Sequence, residues 1–372
     1  MRPPLVLSLS RDSVPCEFAT RLAVDAGFDV VKAEPPGGDV LRERRGLLAS
    51  FLLAGKRSVT YGSDTPDDEE FARLAARCEA IVTDEWGHAH AAALTARGNG
   101  GRATPPLIVV GERDSSALQG MSAQHSDEFL AFHGSGLGYL TPRVMPGYPS
   151  AGPLCPDANL LEFLSGLYGA IALFSLLAAP DGRRHQSATT GLCAAALPLL
   201  RREIAAVLYE DAAPHRAERI WKVSPAEVHR CRDGWLFVDV IEDIQWLRLC
   251  EYMDMPELGK DPSYTTREQR FAHAETICAL LDQFFANRPQ SCWIEAQSRG
   301  IPIAPVNSLE DLAADAQLGA RGFWSTLVTA EGQTLRTPTT PLERLFGTPD
   351  KPLRVPRVGQ HSAEVVAQLD AP

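Results

Sequence analysis

The stretch VLSLSRDSVPCEFATRLAVDAGFDVVKAEPPGGD, residues 6–39, decides the fold class of this chain. It begins with a short apolar segment, VLSLS, which is typical of a strand. A helix is predicted over residues 17–26, and the next apolar segment, FDVVKAE (28–34), predicts a second strand. A strand, a helix and a strand in this order indicate a parallel α/β unit. Ligands of such sheets bind beyond the carboxyl ends of the strands, so we expect a site in the loops at 13–16 and 34–42.

The same alternation continues along the chain. A helix is predicted over PDDEEFARLAARC (66–78). Further strands are predicted at KRSVTY (56–61), EAIVTDE (79–85) and LIVVGE (107–112). EFLAFHGSGLG (128–138) predicts a strand that runs into a glycine-rich turn, and LCAAALPLLRREIAAVLYE (192–210) predicts one long helix. We therefore expect an α/β protein.

Composition and charge limit the classes of protein to consider. A chain of 372 residues is long enough for two domains or for one large domain with an inserted lobe. With 45% hydrophobic and 22% charged residues, it has the composition of an ordinary soluble globular protein. The net charge of −11 argues against a general nucleic-acid binder, which needs clustered lysines and arginines. A small anionic ligand needs only a few local cations and is not excluded.

Neither the cysteines nor the histidines predict a metal site. The eight cysteines are scattered without a CxxC motif or zinc-like spacing, which favours reduced thiols in a cytoplasmic protein. His88 and His90 are the only close histidine pair, and no carboxylate pattern accompanies them. Residues 163–180 are uncharged and reach the length of a membrane span. Their glycines and flanking segments favour a buried core helix, so no membrane association is expected.

Residues 11–44, RDSVPCEFATRLAVDAGFDVVKAEPPGGDVLRER, resemble the opening of the class III coenzyme A transferases, the formyl-CoA and carnitine CoA-transferase group. Later segments resemble the same family in order, namely CRDGWLF, DPSYTTREQR, GIPIAPV and PRVGQHSAEVV. The resemblance implies a large Rossmann-like domain over 1–210, a smaller α+β domain over 211–310, and a return to the large domain over 311–372. It also implies an interlocked-ring homodimer, while a heteromer with a paralogue stays open.

The resemblance places the nucleophile of the family four residues before a glycine that opens the long apolar helix. That glycine matches Gly166, and the matching position holds Glu162 instead of the usual aspartate, since Asp157 comes five positions too early. A carboxylate there would attack an acyl-CoA thioester and split one transfer into easier covalent steps. The alternative is a structural role, in which Asn159 and Glu162 form a pair resembling a capping box at the start of the helix.

The glycine-rich turn HGSGLG (133–138) lies where the family has the loop that faces its nucleophile. Backbone N–H groups such as that of Gly136 could stabilise an oxyanion there, or the glycines could serve only the turn. In an α-methylacyl-CoA racemase-like isomerase, which shares the fold, His133 would be an acid or base with Glu162 as its partner.

The resemblance also implies a set of contacts to coenzyme A, the expected substrate cofactor. By position, these residues are Val14, Pro15, Cys16, Arg42, Lys56, Arg57 and Asp84, of which Asp84 stands where the family often has asparagine. Arginine and lysine beside backbone amides are suited to phosphate binding. Solvated surface cations are the alternative for Arg42 and Lys56.

Two further departures from the family bear on function. Residues 211–225 contain no glycine, although some transferases carry a mobile glycine run there, and Gln360 stands where the family usually has glutamate. We expect transfer of CoA between carboxylic acids through Glu162, with an acyl-CoA and an acid as partners. The alternatives are a noncatalytic CoA-binding subunit of a hetero-oligomer and the racemase-like isomerase.

Overall fold

The computed structural model describes residues 3–61, 69–98, 104–112, 127–142, 152–156, 159–180, 187–210, 223–346 and 352–370. The chain divides into two units. The first unit comprises Met1–Ala213 together with Arg321–Pro372, and the second comprises Pro214–Ala320. The glycine-free segment 211–225 and Asp157 lie largely or wholly outside the described residues.

The strands, in chain order, are β1 (Leu5–Leu9), β2 (Asp29–Glu34), β3 (Arg57–Thr60), β4 (Ala80–Thr83), β5 (Leu107–Glu112), β6 (Ala188–Gly191), β7 (Ala226–Cys231), β8 (Gly234–Asp239), β9 (Ile303–Pro305), β10 (Trp324–Val328), β11 (Thr334–Pro338) and β12 (Leu353–Arg354). The helices are α1 (Val14–Asp25), α2 (Leu41–Arg44), α3 (Gly46–Leu53), α4 (Glu69–Arg77), α5 (Glu85–Gly98), α6 (Asp127–Gly134), α7 (Leu137–Leu140), α8 (Leu160–Ala178), α9 (Leu192–Ala196), α10 (Arg201–Tyr209), α11 (Asp243–Tyr252), α12 (Pro256–Lys260), α13 (Arg267–Ala272), α14 (Ala274–Phe285), α15 (Cys292–Ser298), α16 (Leu309–Ala314), α17 (Ala316–Ala320), α18 (Pro341–Phe346) and α19 (Ser362–Asp370).

The first unit is built on a six-stranded sheet with the order β3-β2-β1-β4-β5-β6. Every neighbouring pair of strands in it is parallel. The predicted parallel α/β architecture is therefore confirmed. This order is that of doubly wound sheets, in which the direction of winding changes between β1 and β4 and ligands bind at that point. The central strand β1 is buried from Val6 to Leu9 because helices cover both faces of such sheets.

The second unit has an antiparallel sheet of β7, β8 and β9. Its core includes Trp246 of α11 and Phe285 of α14, both with at most 1% exposure. Arg270, the arginine that ends the DPSYTTREQR motif, has no exposed surface. Its Nη1 donates to the carbonyls of Tyr264 and Thr265 at 3.3 and 3.1 Å. The motif thus fixes a loop through a buried guanidinium.

Helix α8 approaches α1 closely because it has glycines on the contacting face. A Cβ atom on Gly166 would lie 2.7 Å from the carbonyl oxygen of Pro15, and one on Gly169 would lie 2.7 Å from Val110 Cγ2. The helix has 19 residues and a mean hydropathy of 1.8, long and apolar enough to cross a membrane. Leu167 and Ile171 on it are exposed, so the predicted core helix is buried on one face only.

Two predicted elements are wrong. The strand expected over 128–138 is α6 followed by the short α7, with Gly136 at φ +93° between them. Glu128, Ala131 and Phe132 are buried at helical spacing, whereas Phe129 is 58% exposed. The long helix expected over 192–210 is interrupted by a 3-10 turn at Leu197–Leu200. That turn contains a proline, which has no N–H for a helical hydrogen bond.

The tail of the chain covers β3, which is an edge strand of the large sheet. The N–H of His361 donates to the carbonyl of Ser58 at 2.9 Å, and the N–H of Gly359 donates to Ser58 Oγ at 2.7 Å. Gln360 accepts a hydrogen bond from the N–H of Arg357 at 2.9 Å, which a glutamate would also do. Gln360 therefore stabilises a local turn in the segment that protects the sheet edge.

The first turn of α8 is capped by Glu128 from α6. The N–H groups of Leu161 and Glu162 donate to Glu128 Oε1 and Oε2 at 3.0 and 2.9 Å. Asn159 lies at φ +49° and makes no side-chain cap; instead its amide Nδ2 donates to the carboxylate of Glu162. The capping-box alternative is therefore wrong, because a residue distant in sequence satisfies these donors.

We expect Glu128→Ala to lower the free energy of unfolding by about 0.5–2 kcal/mol, since two helix N–H groups lose their acceptor. Asn159→Gly is the matched control, because glycine adopts a positive φ freely and both capping bonds stay in place. Urea unfolding of the two variants checks this. An equal or larger loss in Asn159→Gly would show that Asn159 is the cap.

Gly166→Ala is expected to destabilise the first unit by about 1–3 kcal/mol, because the added methyl group meets backbone that side-chain rotation cannot move. Gly319→Ala in α17 is the control, since nothing lies within 4 Å of a Cβ there. Alanine favours a helix over glycine, so the control stays neutral or gains stability. Thermal and urea unfolding measure both, and a stable Gly166→Ala would refute the close packing of α1 on α8.

Candidate active site

Three loops meet at the carboxyl edge of the parallel sheet, where the direction of winding changes. The N–H of Arg11, which follows β1, donates to Asp84 Oδ2 after β4 at 2.9 Å. The N–H of Asp12 donates to Asp39 Oδ1 in the loop after β2, also at 2.9 Å. Asp12 has φ +48°, a conformation that these contacts hold. The PPGGD turn and the end of β1 are thus fixed against each other.

A buried ionic network supports these loops. Lys32 Nζ lies 2.8 Å from Glu17 Oε1 and 2.7 Å from Asp39 Oδ2, and it donates to the carbonyl of Ser10 at 2.8 Å. Lys56 Nζ pairs with the other oxygen of Glu17 and donates to Thr20 Oγ1 at 2.7 Å. The side chains of both lysines and of Glu17 have no exposed surface. Buried charges of this kind persist only when they are paired.

Burial and pairing act on these groups in opposite directions. Burial would lower the pKa of Lys32, but the carboxylates of Asp39 and Glu17 outweigh it and raise the pKa above the ordinary value. Burial, with the neighbouring cations Lys32 and Arg21, lowers the pKa of Lys56 to about 8, although Glu17 opposes this. Burial would raise the pKa of Glu17, but Lys32 and Lys56 hold it well below the usual range. Glu17 is therefore a permanent anion between two lysines.

The structure places the first predicted CoA contacts inside the fold. Val14 and Cys16 have no exposed surface, and Pro15 is buried as well. Ser13 Oγ accepts the N–H of Cys16 at 3.3 Å and caps α1. Burial raises the pKa of the Cys16 thiol well above its ordinary value, which disfavours the reactive thiolate. Contact with CoA by the side chains of this segment stays a prediction.

The predicted cationic CoA contacts already have carboxylate partners. Arg42 donates to both oxygens of Glu34 at 2.8 and 2.6 Å and has an 18% exposed side chain. Arg57 likewise donates to both oxygens of Asp29, at 2.8 and 2.6 Å. Neither arginine is a free solvated cation, and Lys56 is fully buried. Their roles toward CoA stay predictions.

Both carboxylate oxygens of Asp84 accept hydrogen bonds from backbone N–H groups. Besides the bond from Arg11, its Oδ1 accepts the N–H of Gly87 at 2.8 Å, in the first turn of α5. Burial raises the pKa of Asp84, although these backbone bonds oppose the shift. The guanidinium of Arg11 lies 4.1 Å from the ring centroid of Trp86, so this loop carries an arginine stacked on an aromatic ring.

The carboxylate of Glu162 contacts two side chains and accepts none of the first N–H groups of α8 that Glu128 accepts. Its Oε1 lies 3.2 Å from Nη2 of Arg45, which stands between α2 and α3, and its Oε2 accepts the amide of Asn159. The side chain of Glu162 is 8% exposed and that of Arg45 is 21% exposed. The first turn of a helix favours a negative charge, so the position suits a carboxylate.

The pKa of Glu162 is raised above its ordinary value. Burial is the largest cause, and the neighbouring carboxylates of Glu128 and Asp12 raise it further. Arg45 and the amide of Asn159 lower it. Burial and the charges of its neighbours therefore act on the carboxyl group of Glu162 in opposite directions.

His133 and Gly136 lie at the end of α6 and in the turn after it. The ring of His133 packs edge-on against Phe129 with centroids 4.5 Å apart. A Cβ atom on Gly138 would lie 2.1 Å from His133 Nδ1, so that glycine makes room for the ring. The N–H of Gly136 donates to the carbonyl of His133 at 3.3 Å and completes the turn. An oxyanion role for Gly136 and an acid–base role for His133 stay predictions.

Sequence reasoning missed the residues that surround Glu162. Arg45 belongs to the run RERR and carries no motif signal, and Glu128 lies 34 positions before its hydrogen-bond partner Glu162. Lys32 had a signal, since a lysine between Val31 and Ala33 in a buried parallel strand requires a partner. Within the described ranges, no group of three or more histidine, cysteine, aspartate and glutamate side chains could hold a metal ion.

The chain is similar to known proteins over nearly its whole length. The sequence is 24% identical to a succinate–glutarate CoA-transferase of Agrobacterium fabrum, covering 99% of this chain and 96% of the relative. It is also 24% identical to the alpha subunit of a succinyl-CoA–L-malate CoA-transferase of Chloroflexus aurantiacus, covering 95% and 85%. The crystal structure of a CAIB/BAIF family protein from Brucella suis has a similar fold, with a TM-score of 0.78, 21% identity and 99% coverage of both chains.

The match to a protein family extends over nearly all the elements described above. The sequence model of CoA-transferase family III matches residues 5–362, which include the parallel sheet, the loops at its carboxyl edge, Glu162 and the tail on β3. This chain belongs to CoA-transferase family III.

Proposed function

We propose that this protein transfers CoA between two carboxylic acids and that Glu162 is its covalent nucleophile. Membership of CoA-transferase family III, with relatives named as CoA-transferases, supports CoA transfer at the level of the family. The observation that carries the role of Glu162 is the capping of α8 by Glu128. Because Glu128 accepts the first N–H groups of α8, the carboxylate of Glu162 is not needed for capping and contacts Arg45 and Asn159 instead.

The proposed reaction proceeds through two covalent intermediates. A carboxylate oxygen of Glu162 attacks the thioester carbon of an acyl-CoA, the C–S bond breaks, and a mixed anhydride and CoA thiolate result. The thiolate then attacks the Glu162 carbon of the anhydride, which gives a glutamyl-CoA thioester and releases the donor acid as a carboxylate. An acceptor carboxylate attacks this thioester and reverses the sequence, leaving as a new acyl-CoA.

The residues around Glu162 prepare the ionised carboxylate for attack. Arg45 and the start of α8 favour the negative charge, while burial keeps the carboxylate poorly solvated and basic. The added methylene of glutamate moves the carboxyl group outward by about 1.5 Å relative to aspartate, which places it within reach of Arg45. In this proposal the length of the Glu162 side chain suits the position of Arg45.

CoA itself would bind at the carboxyl edge of the parallel sheet, beside the loop after β1 and the loop after β2. Arg11 follows β1 and is stacked on Trp86, and Arg42 in α2 has an 18% exposed side chain, so both are candidate partners for the phosphates of CoA. As part of the same proposal, the N–H of Gly136 exchanges its long 3.3 Å bond to the carbonyl of His133 for the oxyanion. We also place the protein in the cytoplasm as a homodimer.

A noncatalytic subunit of a hetero-oligomer is the second candidate. It is favoured by the likeness to a relative named as an alpha subunit. It is also favoured by the absence of glycine from residues 211–225 of the sequence. The purified chain alone would then bind CoA without forming a thioester, and activity would need a second polypeptide.

The test is mass spectrometry of the peptide that contains Glu162. The pure protein is incubated with succinyl-, glutaryl-, malyl-, formyl- and acetyl-CoA in turn, and borohydride then reduces any glutamyl thioester to the alcohol. We expect reduction at Glu162 with at least one donor and none in Glu162→Gln. An unmodified peptide with every donor, in a protein that still binds CoA, would support the noncatalytic subunit.

Glu162→Asp is the matched variant in this experiment, because it keeps the carboxylate and only shortens its reach. We expect it to form thioester about a hundredfold more slowly, since a displacement of about 1 Å at a reacting atom has an effect of that size. A rate equal to or above that of the unmodified protein would show that the site is built for aspartate.

The rate of thioester formation should depend on pH through Glu162. Only the ionised carboxylate attacks, so the rate falls as the pH falls through the raised pKa of Glu162. Arg45→Gln removes the largest influence that lowers this pKa, so its acidic limb should lie at higher pH than that of the unmodified protein. Single-turnover rates between about pH 4 and 9 measure the shift. An acidic limb that stays in place or moves to lower pH contradicts the assignment.

A further inference from the structure

Helix α2 and the residue that follows it carry three arginines close to the carboxyl edge of the sheet, and each has a carboxylate partner. Arg42 pairs with Glu34 at 2.6 Å and Arg44 pairs with Asp12. Arg45 pairs with Glu162 at 3.2 Å. Glu34 has no exposed side-chain surface and Asp12 is 17% exposed, and neither takes part in the proposed chemistry. Arg45 differs from its neighbours because its partner is the reacting group.

The charge opposite Arg45 changes during the reaction. When Glu162 becomes a glutamyl-CoA thioester, the carboxylate is replaced by a neutral carbonyl group. The guanidinium of Arg45, 21% exposed, then faces this carbonyl without the anion that it contacts in the free enzyme. A partly buried cation that loses its partner is unfavourable, and a new carboxylate in the same place removes the imbalance.

The acceptor acid supplies such a carboxylate. It must bring one oxygen to the Glu162 carbon, next to the atom that Arg45 already contacts. A guanidinium binds a carboxylate through two parallel N–H bonds and so fixes its orientation as well as its position. The donor acid leaves from the same place, because it departs as a carboxylate from the same carbon of Glu162.

Resting on the function proposed above, we infer that Arg45 is the binding group for the reacting carboxylate of the free acid. In the free enzyme Arg45 holds Glu162, and in the thioester it holds the donor acid as it leaves and the acceptor acid as it enters. One arginine thus alternates between an enzyme carboxylate and a substrate carboxylate. Arg42 and Arg44 keep their partners throughout.

The experiment separates the two halves of the reaction. The thioester is first formed from the acyl-CoA that labels Glu162 in the mass spectrometric test, and excess acyl-CoA is removed. Free acids corresponding to the same donors are then added, and loss of the thioester is followed as a function of acid concentration. The work is done on the alkaline side of the acidic limb, so that protonation of Glu162 does not limit formation of the thioester and the added acids are carboxylates.

We expect Arg45→Gln to form the thioester and to need about ten- to a hundredfold more acid for half-maximal discharge, as for the loss of a charged hydrogen bond. Arg45→Lys keeps the charge without the two parallel donors, so its acid concentration for half-maximal discharge should lie between those of Arg45→Gln and the unmodified protein. Arg44→Gln is the matched control with an unchanged acid dependence. Thermal unfolding of each variant shows whether it is folded.

The outcomes distinguish this inference from the proposed function. If no thioester forms in the unmodified protein, the proposed function itself is refuted. If the thioester forms but Arg45→Gln and the unmodified protein are discharged at the same acid concentration, Arg45 does not bind the acid. The assignment is also overturned if none of the acids discharges the thioester of the unmodified protein. The same holds if Arg44→Gln raises the acid concentration for half-maximal discharge as much as Arg45→Gln does.

Discussion

The pairing of Lys32 with Glu17 and Asp39 is the interaction on which the architecture of the site depends. All three side chains lack exposed surface, and the two ion-pair distances are 2.8 and 2.7 Å. They come from β2, α1 and the loop after β2, so a single ammonium group joins three separate parts of the chain. Removing one member of such a buried set typically costs about 3–5 kcal/mol, because the remaining charge has no partner. The network therefore fixes the positions of these loops.

A chain of hydrogen bonds and ion pairs connects this network to the candidate nucleophile. Asp39, held by Lys32, also accepts the N–H of Asp12 at the end of β1, and Asp12 pairs with Arg44. The next residue, Arg45, contacts Glu162. On the other side, the glycines of α8 allow this helix to approach α1, which brings its first turn toward the same edge of the sheet. Glu162 thus lies where two independently supported parts of the first unit meet.

The sequence alone allowed much of the fold to be predicted and less of the site. Strands such as VLSLS are short and apolar because they are buried on both faces, and this pattern is visible without a structure. The strand predicted over 128–138 rested on a short apolar run ahead of a glycine-rich turn, although Glu128, Ala131 and Phe132 are buried at helical spacing. Periodicity in so short a segment does not separate the two states.

The site depended on partners that are remote in sequence. Glu162 was singled out through the resemblance to the family, but its capping alternative was settled only by Glu128, which no local pattern connects to α8. The predicted CoA contacts Lys56 and Arg57 are conspicuous as cations, yet their carboxylate partners Glu17 and Asp29 come from different elements. Which cation is paired and which can meet a ligand depends on tertiary structure.

The central claim is that the carboxylate of Glu162 exchanges an oxygen atom with the acid during each transfer, and isotope labelling tests it most directly. The protein is incubated with an acyl-CoA and an acid whose carboxylate carries ¹⁸O, and the peptide containing Glu162 is then weighed. The covalent route predicts that ¹⁸O enters the side chain of Glu162 and no other carboxylate. Transfer of CoA without label at Glu162, or with label at a different residue, would contradict the account.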